Sequence, residues 1–289
     1  MSFTQRFLAH AARGRWLFTA ALLSCFLIAG KLVGGVLVAP TVIFISDINR
    51  TGRLEVQNTA NEPREVTVRL AYGLPQSDSL GNIYVNLKDS NITDPKAAVD
   101  WIKAFPRKVI VPPGGTQVIR MVARPPKDLP DGEYWARVVV TSREGTTELP
   151  SPEGDQAIET RLNMVMQTAL MLKYRNGECM TRLELTHRDA WLTEEGMSVL
   201  LGMSNLGNAS YMGILTCTVT DADNQQVLEK YLNIAVYDHL RRRVDLEFDR
   251  SEYRAPFKVA VSVSSEGRTD VAPEDLIVGN DVSYTMTVE

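Results

Sequence analysis

Three histidines, three cysteines and scattered carboxylates are the side chains from which this 289-residue chain could build catalysis or bind a metal. His10 lies in the signal-like N-terminal segment. His187 and His239 have no Cys, Asp or Glu at metal-ligand spacing. No serine sits in a Gly-x-Ser-x-Gly turn, and no Cys-x-x-Cys occurs. The stretches "PGGTQ", "GDQ" and "DADN" lack the strand–glycine–helix setting that a phosphate site needs, and "DADN" reads as a hairpin turn. A net charge of −4 and a pI near 5.6 give no general attraction to nucleic acid. The chain is therefore expected to be no enzyme and to use no cofactor and no metal.

What remains is recognition by a strand. In "RLNMVMQTALMLKYR", residues 161–175, Leu162, Met164, Met166, Leu170 and Leu172 recur at every second position, interrupted by Thr168. The other parity carries Val165, Ala169 and Met171 between Arg161, Asn163 and Gln167. A strand in a small sandwich needs one buried face, and this one is apolar on one face and half apolar on the other.

The elements around it share the same period. Val42 to Ile48, Arg53 to Gln57, Val66 to Tyr72, Lys108 to Val111, Thr116 to Ala123 and Glu133 to Thr141 alternate like strands, with turn-forming residues between them. Ser77 to Phe105 breaks the pattern, and "DPKAAVDWIKAF" within it predicts a short helix. The second half repeats the grammar in "TRLELTH", "MSVLLGMSN", "MGILTCTVTD", "VLEKYLNIAVY", "RRRVDLEF", "FKVAVSVSS" and "VSYTMTV". Asn58 and Asn205 hold matching places, each between a strand and a turn. These patterns predict an all-β chain of two tandem sandwiches, with a boundary near Tyr174 to Gly177.

Arg6, Arg13 and Arg15 precede an apolar run from Trp16 to Gly30, with no acidic residue before Asp47. That is a basic region followed by an apolar one, as in an export signal, and cleavage between Lys31 and Ala39 is expected. An uncleaved anchor, with transient membrane attachment through the same segment, is one alternative, and a lipid anchor at Cys25 of "LLSC" is the other. Beyond it only Cys179 and Cys217 remain, either as one disulfide or as two buried thiols.

"VAPTVIFISD", "RLEVQNTANEPREVTVRL", "FPRKVIVPPGGTQVIRMVARPPKDLPDGEYWARVVVTS" and "QTALMLKYRNG" resemble the periplasmic assembly chaperones of chaperone–usher pilus systems. Pro40, the segment Pro113 to Arg120 and the segment Pro130 to Tyr134 carry that resemblance. In the second half "SNLGNASYMGILTCTV" and "AVYDHLRRRV" carry it, and together these stretches span roughly residues 38 to 275. The resemblance implies two immunoglobulin-like domains in a boomerang arrangement, residues 38–174 and 175–289, after a signal or anchor of residues 1–37. It further implies a periplasmic chaperone that lends a strand to pilin-like subunits and passes them to an outer-membrane usher. Leu162, Met164 and Met166 align with the family's donor side chains, which leaves Val165, Ala169 and Met171 to pack into the first domain.

The family's paired basic anchor for a subunit carboxylate is not reproduced, because Val42 and Met171 occupy those positions. Lys173, on the face of Met171, is expected to substitute in subunit binding. Arg175 matches a family residue that supports the domain interface through an ion pair. An immunoglobulin-like structural or adhesive module, held at the cell surface by the N-terminal segment, is the competing reading.

Overall fold

The computed structural model describes residues 35–144 and 164–289, so most of the expected signal or anchor, residues 145–163 and, among them, the expected donor residue Leu162 lie outside the described residues. It contains two immunoglobulin-like β-sandwiches in tandem. The first uses β1 (Val36–Ala39), β2 (Val42–Ser46), β3 (Thr51–Asn58), β4 (Arg64–Ala71), β5 (Pro75–Ser77), β6 (Ile83–Val85), β7 (Ile102–Phe105), β8 (Lys108–Val111), β9 (Thr116–Ala123), β10 (Gly132–Glu144) and β11 (Met166–Asn176). One sheet runs β1-β3-β9-β7 and the other β2-β11-β10-β4-β8, with β5 and β6 forming a separate hairpin. The second uses β12 (Leu183–Thr193), β13 (Gly196–Asn205), β14 (Tyr211–Thr220), β15 (Gln226–Val236), β16 (His239–Glu247), β17 (Phe257–Ser264) and β18 (Val282–Val288). Its sheets run β12-β13-β16 and β15-β14-β17-β18.

Alternation sets which side chains fill each core. In β3, Leu54 and Val56 are buried while Arg53, Glu55 and Gln57 face water, and in β17 Phe257, Val259, Val261 and Val263 are buried between exposed neighbours. The first core draws on residues from Val36 to Tyr174 and the second on residues from Leu183 to Val288.

Asn58 and Asn205 do the same work in the two sandwiches. The Asn58 amide donates to the carbonyls of Glu62 and Val111 and accepts from Ala60 N–H. Asn205 donates to Ala209 and Tyr237 and accepts from Gly207 N–H. Each side chain thus closes a turn at the second following residue and ties it to a distant carbonyl, which is turn chemistry repeated with the fold.

The expected helix does not form. Residues 95–96 and 99–101 make turns on either side of a bridge from Ala97 to Trp135, and Ile102 and Ala104 enter β7 as buried residues paired to Ala123 and Met121 of β9. Pairing with an existing sheet edge outweighs the weak local preference of "KAAVDWIKAF" for a helix. Trp101 meets Tyr174 edge-on with centroids 4.8 Å apart, fixing this segment over the core.

Cys179 lies in the connection between sandwiches and Cys217 in the second core, and both are free thiols. Among the described residues no helix is long and apolar enough to cross a membrane.

Candidate functional site: an open strand edge beside an interdomain cleft

β11 is paired with β10 along its whole length, from Met166 opposite Ser142 to Asn176 opposite Gly132. On its other side β2 runs parallel to it from Met171 to Arg175 only. Among the described residues, no strand pairs with that side over residues 166–170. Five residues of strand expose about 17 Å of unsatisfied edge. Met164, Val165 and Met166 stand at its start, 50%, 60% and 42% exposed. Sheet edges in monomers are commonly short, charged or covered, so an open edge of this length, without a charged residue and led in by exposed apolar side chains, stands out.

The two faces of β11 are assigned differently from the sequence expectation. Leu170, Leu172 and Tyr174, of the same parity as Met164 and Met166, fill the first core. Ala169 is exposed, and Met171 packs on the opposite face with Tyr72 and Trp135. The parity expected to pack inward therefore faces outward. Met171 is nonetheless buried, because the segment after β4 folds over this face and brings Leu74, Ile92, Ala97 and Val99, while Tyr237 arrives from the second sandwich. Val42 joins that cluster and is the register partner of Met171. An apolar pair thus occupies the place where the resemblance implied two basic anchors.

Lys173 does not reach a bound chain. It is 1% exposed, and its ammonium lies 3.4 Å from Glu133 Oε1 and donates to the Ser210 hydroxyl. Met212 sulfur accepts at 3.1 Å, and the Tyr237 ring lies 5.0 Å away. The expectation that Lys173 binds a subunit carboxylate fails on this burial: position 173 of β11 lies under the second sandwich. Burial pushes the Lys173 ammonium below its usual range, against the attraction of Glu133.

Glu133, on β10, is the centre of the interface and was not singled out in the sequence. Its Oε1 accepts from Trp135 Nε1 at 2.7 Å and from the Ser210 amide at 3.3 Å, and its Oε2 accepts from Arg175 Nε at 3.1 Å. Burial alone would raise its carboxyl, but Lys173 and Arg175 outweigh it and hold the group below the usual range. Arg175 also sits 4.6 Å from the Phe44 ring. The "Gly-Glu-Tyr" stretch was legible as a motif; the charged role of its glutamate needed the partner sandwich.

Between the sandwiches opens a cleft of about 930 Å³. Its first wall includes Pro40, Val42, Phe44, Arg53, Val118 and Arg120, and its second Asp270, Val271 and Asp275. Arg53 and Arg120 are directly opposed in register and both are exposed, so two like charges face each other across a strand pair. Asp270 is tied to Arg268, which holds its carboxyl below the usual range through a hydrogen bond. Among the described residues no group of three or more His, Cys, Asp or Glu could hold a metal ion.

No protein-family profile matches this chain, and no curated protein does. Solved structures of similar architecture include chaperones of fimbrial and chaperone–usher systems. The YadV chaperone is 13% identical with a TM-score of 0.43, covering 87% of this chain and 98% of its own. The SafB chaperone of Salmonella enterica, solved with the SafA pilin, is 15% identical with a TM-score of 0.43, covering 89% and 99%. The CsuC chaperone of Acinetobacter baumannii, from the archaic chaperone–usher Csu pili and solved with the CsuE tip subunit, is 12% identical with a TM-score of 0.43, covering 88% and 98%. The likeness is one of architecture.

Proposed function

We propose that this chain is a non-enzymatic periplasmic chaperone that captures pilin-like subunits by lending them the edge of β11 and hands them to an outer-membrane usher. The open edge over residues 166–170, led in by exposed Met164 and Met166, carries this reading. A partner strand laid there would gain backbone hydrogen bonds along the edge, and its sandwich would receive alternate side chains from Leu162, Met164 and Met166. Flexible thioethers suit partners of differing shape. The cleft wall bearing Arg53 and Arg120 supports reception of a carboxylate from the captured chain, in place of the absent anchor pair. Arg175 serves the domain interface through Glu133. Export would use the basic and apolar segment that precedes β1, which shortens the expected 1–37 segment, because Val36 and Leu37 pair with Asn58 and Gln57 of β3. Val36 is already in the first core, so a processed chain that keeps β1 begins before it.

The test is co-expression with an aggregation-prone pilin-like subunit, followed by co-purification. Wild-type chain should yield a soluble one-to-one complex, and Met166→Asp should yield none while melting normally. A variant that captures the subunit as well as wild type sinks the donor assignment.

A further inference from the structure

The segment between β4 and β7 does more than cover the face of β11. Its stem is fixed to the first sandwich by the Tyr72–Lys88 bridge, whose two backbone bonds measure 2.8 and 2.7 Å. From there β5 and β6 project as a hairpin with Ser77 opposite Ile83. Asp78 builds the turn: its Oδ1 accepts from the amides of Leu80 and Asn82, both at 2.9 Å, and its Oδ2 from the Asn82 side chain at 2.8 Å.

The tip of this hairpin rests on the second sandwich. β16 is the edge strand of its sheet. The Arg241 amide donates to Ser77 Oγ at 2.8 Å, and the Arg243 amide donates to the Gly81 carbonyl at 3.1 Å. Ile83 packs against the second core from outside. Gly81 has φ +81°, and a Cβ there would lie 2.5 Å from the Arg243 nitrogen. Contact this close, at a positive φ, requires glycine.

We propose that the β5–β6 hairpin is a latch that fixes the angle between the two sandwiches and covers the β16 edge against other strands. The Glu133–Lys173–Ser210 cluster and the Trp135–Tyr237 contact, with centroids 5.1 Å apart, join the sandwiches at one place. A single contact region allows rocking about itself. Arg243 lies six residues beyond Tyr237, about 20 Å along an extended chain. A second contact at that distance removes the rocking, so the cleft keeps one width. The same two amides, left free, would present an edge able to recruit a foreign strand. This latch does not depend on which partner β11 binds.

The test compares wild type, Ile83→Ser, Gly81→Val and the tip control Leu80→Ser by ¹⁵N relaxation and limited trypsin digestion. Leu80 is 61% exposed and serves as a change in the same turn. Wild type and Leu80→Ser should tumble with one rotational correlation time. Ile83→Ser and Gly81→Val should give a separate, shorter time for each sandwich. Cleavage after Arg182, in the connection between them, should speed up about tenfold as local opening grows easier. Latch variants that stay folded and still tumble as one body overturn the proposal. Loss of folding in either sandwich overturns it too, because the hairpin would then belong to a core.

Discussion

Removing Glu133 should cost far more than removing the lysine it holds. Glu133→Ala leaves Lys173 at 1% exposure with only Ser210, Met212 and aromatic faces around its ammonium, and strips Arg175 of its carboxylate. Deleting one partner of a buried pair in this way costs about 3–5 kcal/mol. In a chain of this size that corresponds to a fall in melting temperature of about 10 °C. Lys173→Met differs, because Glu133 keeps Arg175, Trp135 and Ser210 as donors. Exchanging the ammonium for a thioether of similar length also removes a desolvation cost, so stability should stay within about 1 kcal/mol of wild type. The double variant should recover part of the Glu133→Ala loss, with a coupling of about 1–3 kcal/mol. Urea unfolding followed by tryptophan fluorescence measures all three, with Trp135 in the interface as reporter. Equal losses for the two single variants, or a Glu133→Ala loss under about 1 kcal/mol, would refute the reasoning that one carboxylate holds a buried lysine and a half-buried arginine.

Further outcomes follow from the same structure. Met164→Asp should abolish subunit capture and leave the melt unchanged, since the residue is half exposed in the free protein; a collapsed melt would place it in the core. Leu172→Ala, at 0% exposure, should lose about 2–5 kcal/mol, which calorimetry would register. Arg120→Glu should weaken subunit capture in pull-down by at least about tenfold if the cleft receives a carboxylate at about the strength of a charge-assisted hydrogen bond, and unchanged capture removes Arg120 from that role. Because the Glu133 carboxyl is held below its unfolded value, its contribution is full above about pH 4.3 and is lost as pH falls through the folded value. Urea midpoints measured from pH 7 down to 3 should therefore fall on the acid side, and Glu133→Gln should flatten that fall.

Most strands and the division into two sandwiches were legible in the sequence, because alternate burial is written residue by residue; the short strands β1, β5, β6 and β7 were not. Leu54 and Val56 alternate with Arg53, Glu55 and Gln57, while Ile119 and Met121 flank Arg120 on the paired strand, so the inward face of each is unambiguous. The sequence also marked 161–175 as a strand with more apolar surface than one core absorbs. It could not decide which parity turned inward, since both carry apolar side chains, and only pairing with β10 and β2 set that register. The helix expected in 94–105 gave way for a related reason: a sheet edge from distant residues was available to pair with it. Lys173 and Glu133 lie 40 residues apart on neighbouring strands, and Ser210 comes from another sandwich. A lysine at the end of an exposed-looking strand reads as a ligand until a second domain is placed over it. Charges buried at a domain interface, and a hairpin that spans two domains, follow from docking geometry, which no local pattern of residues encodes.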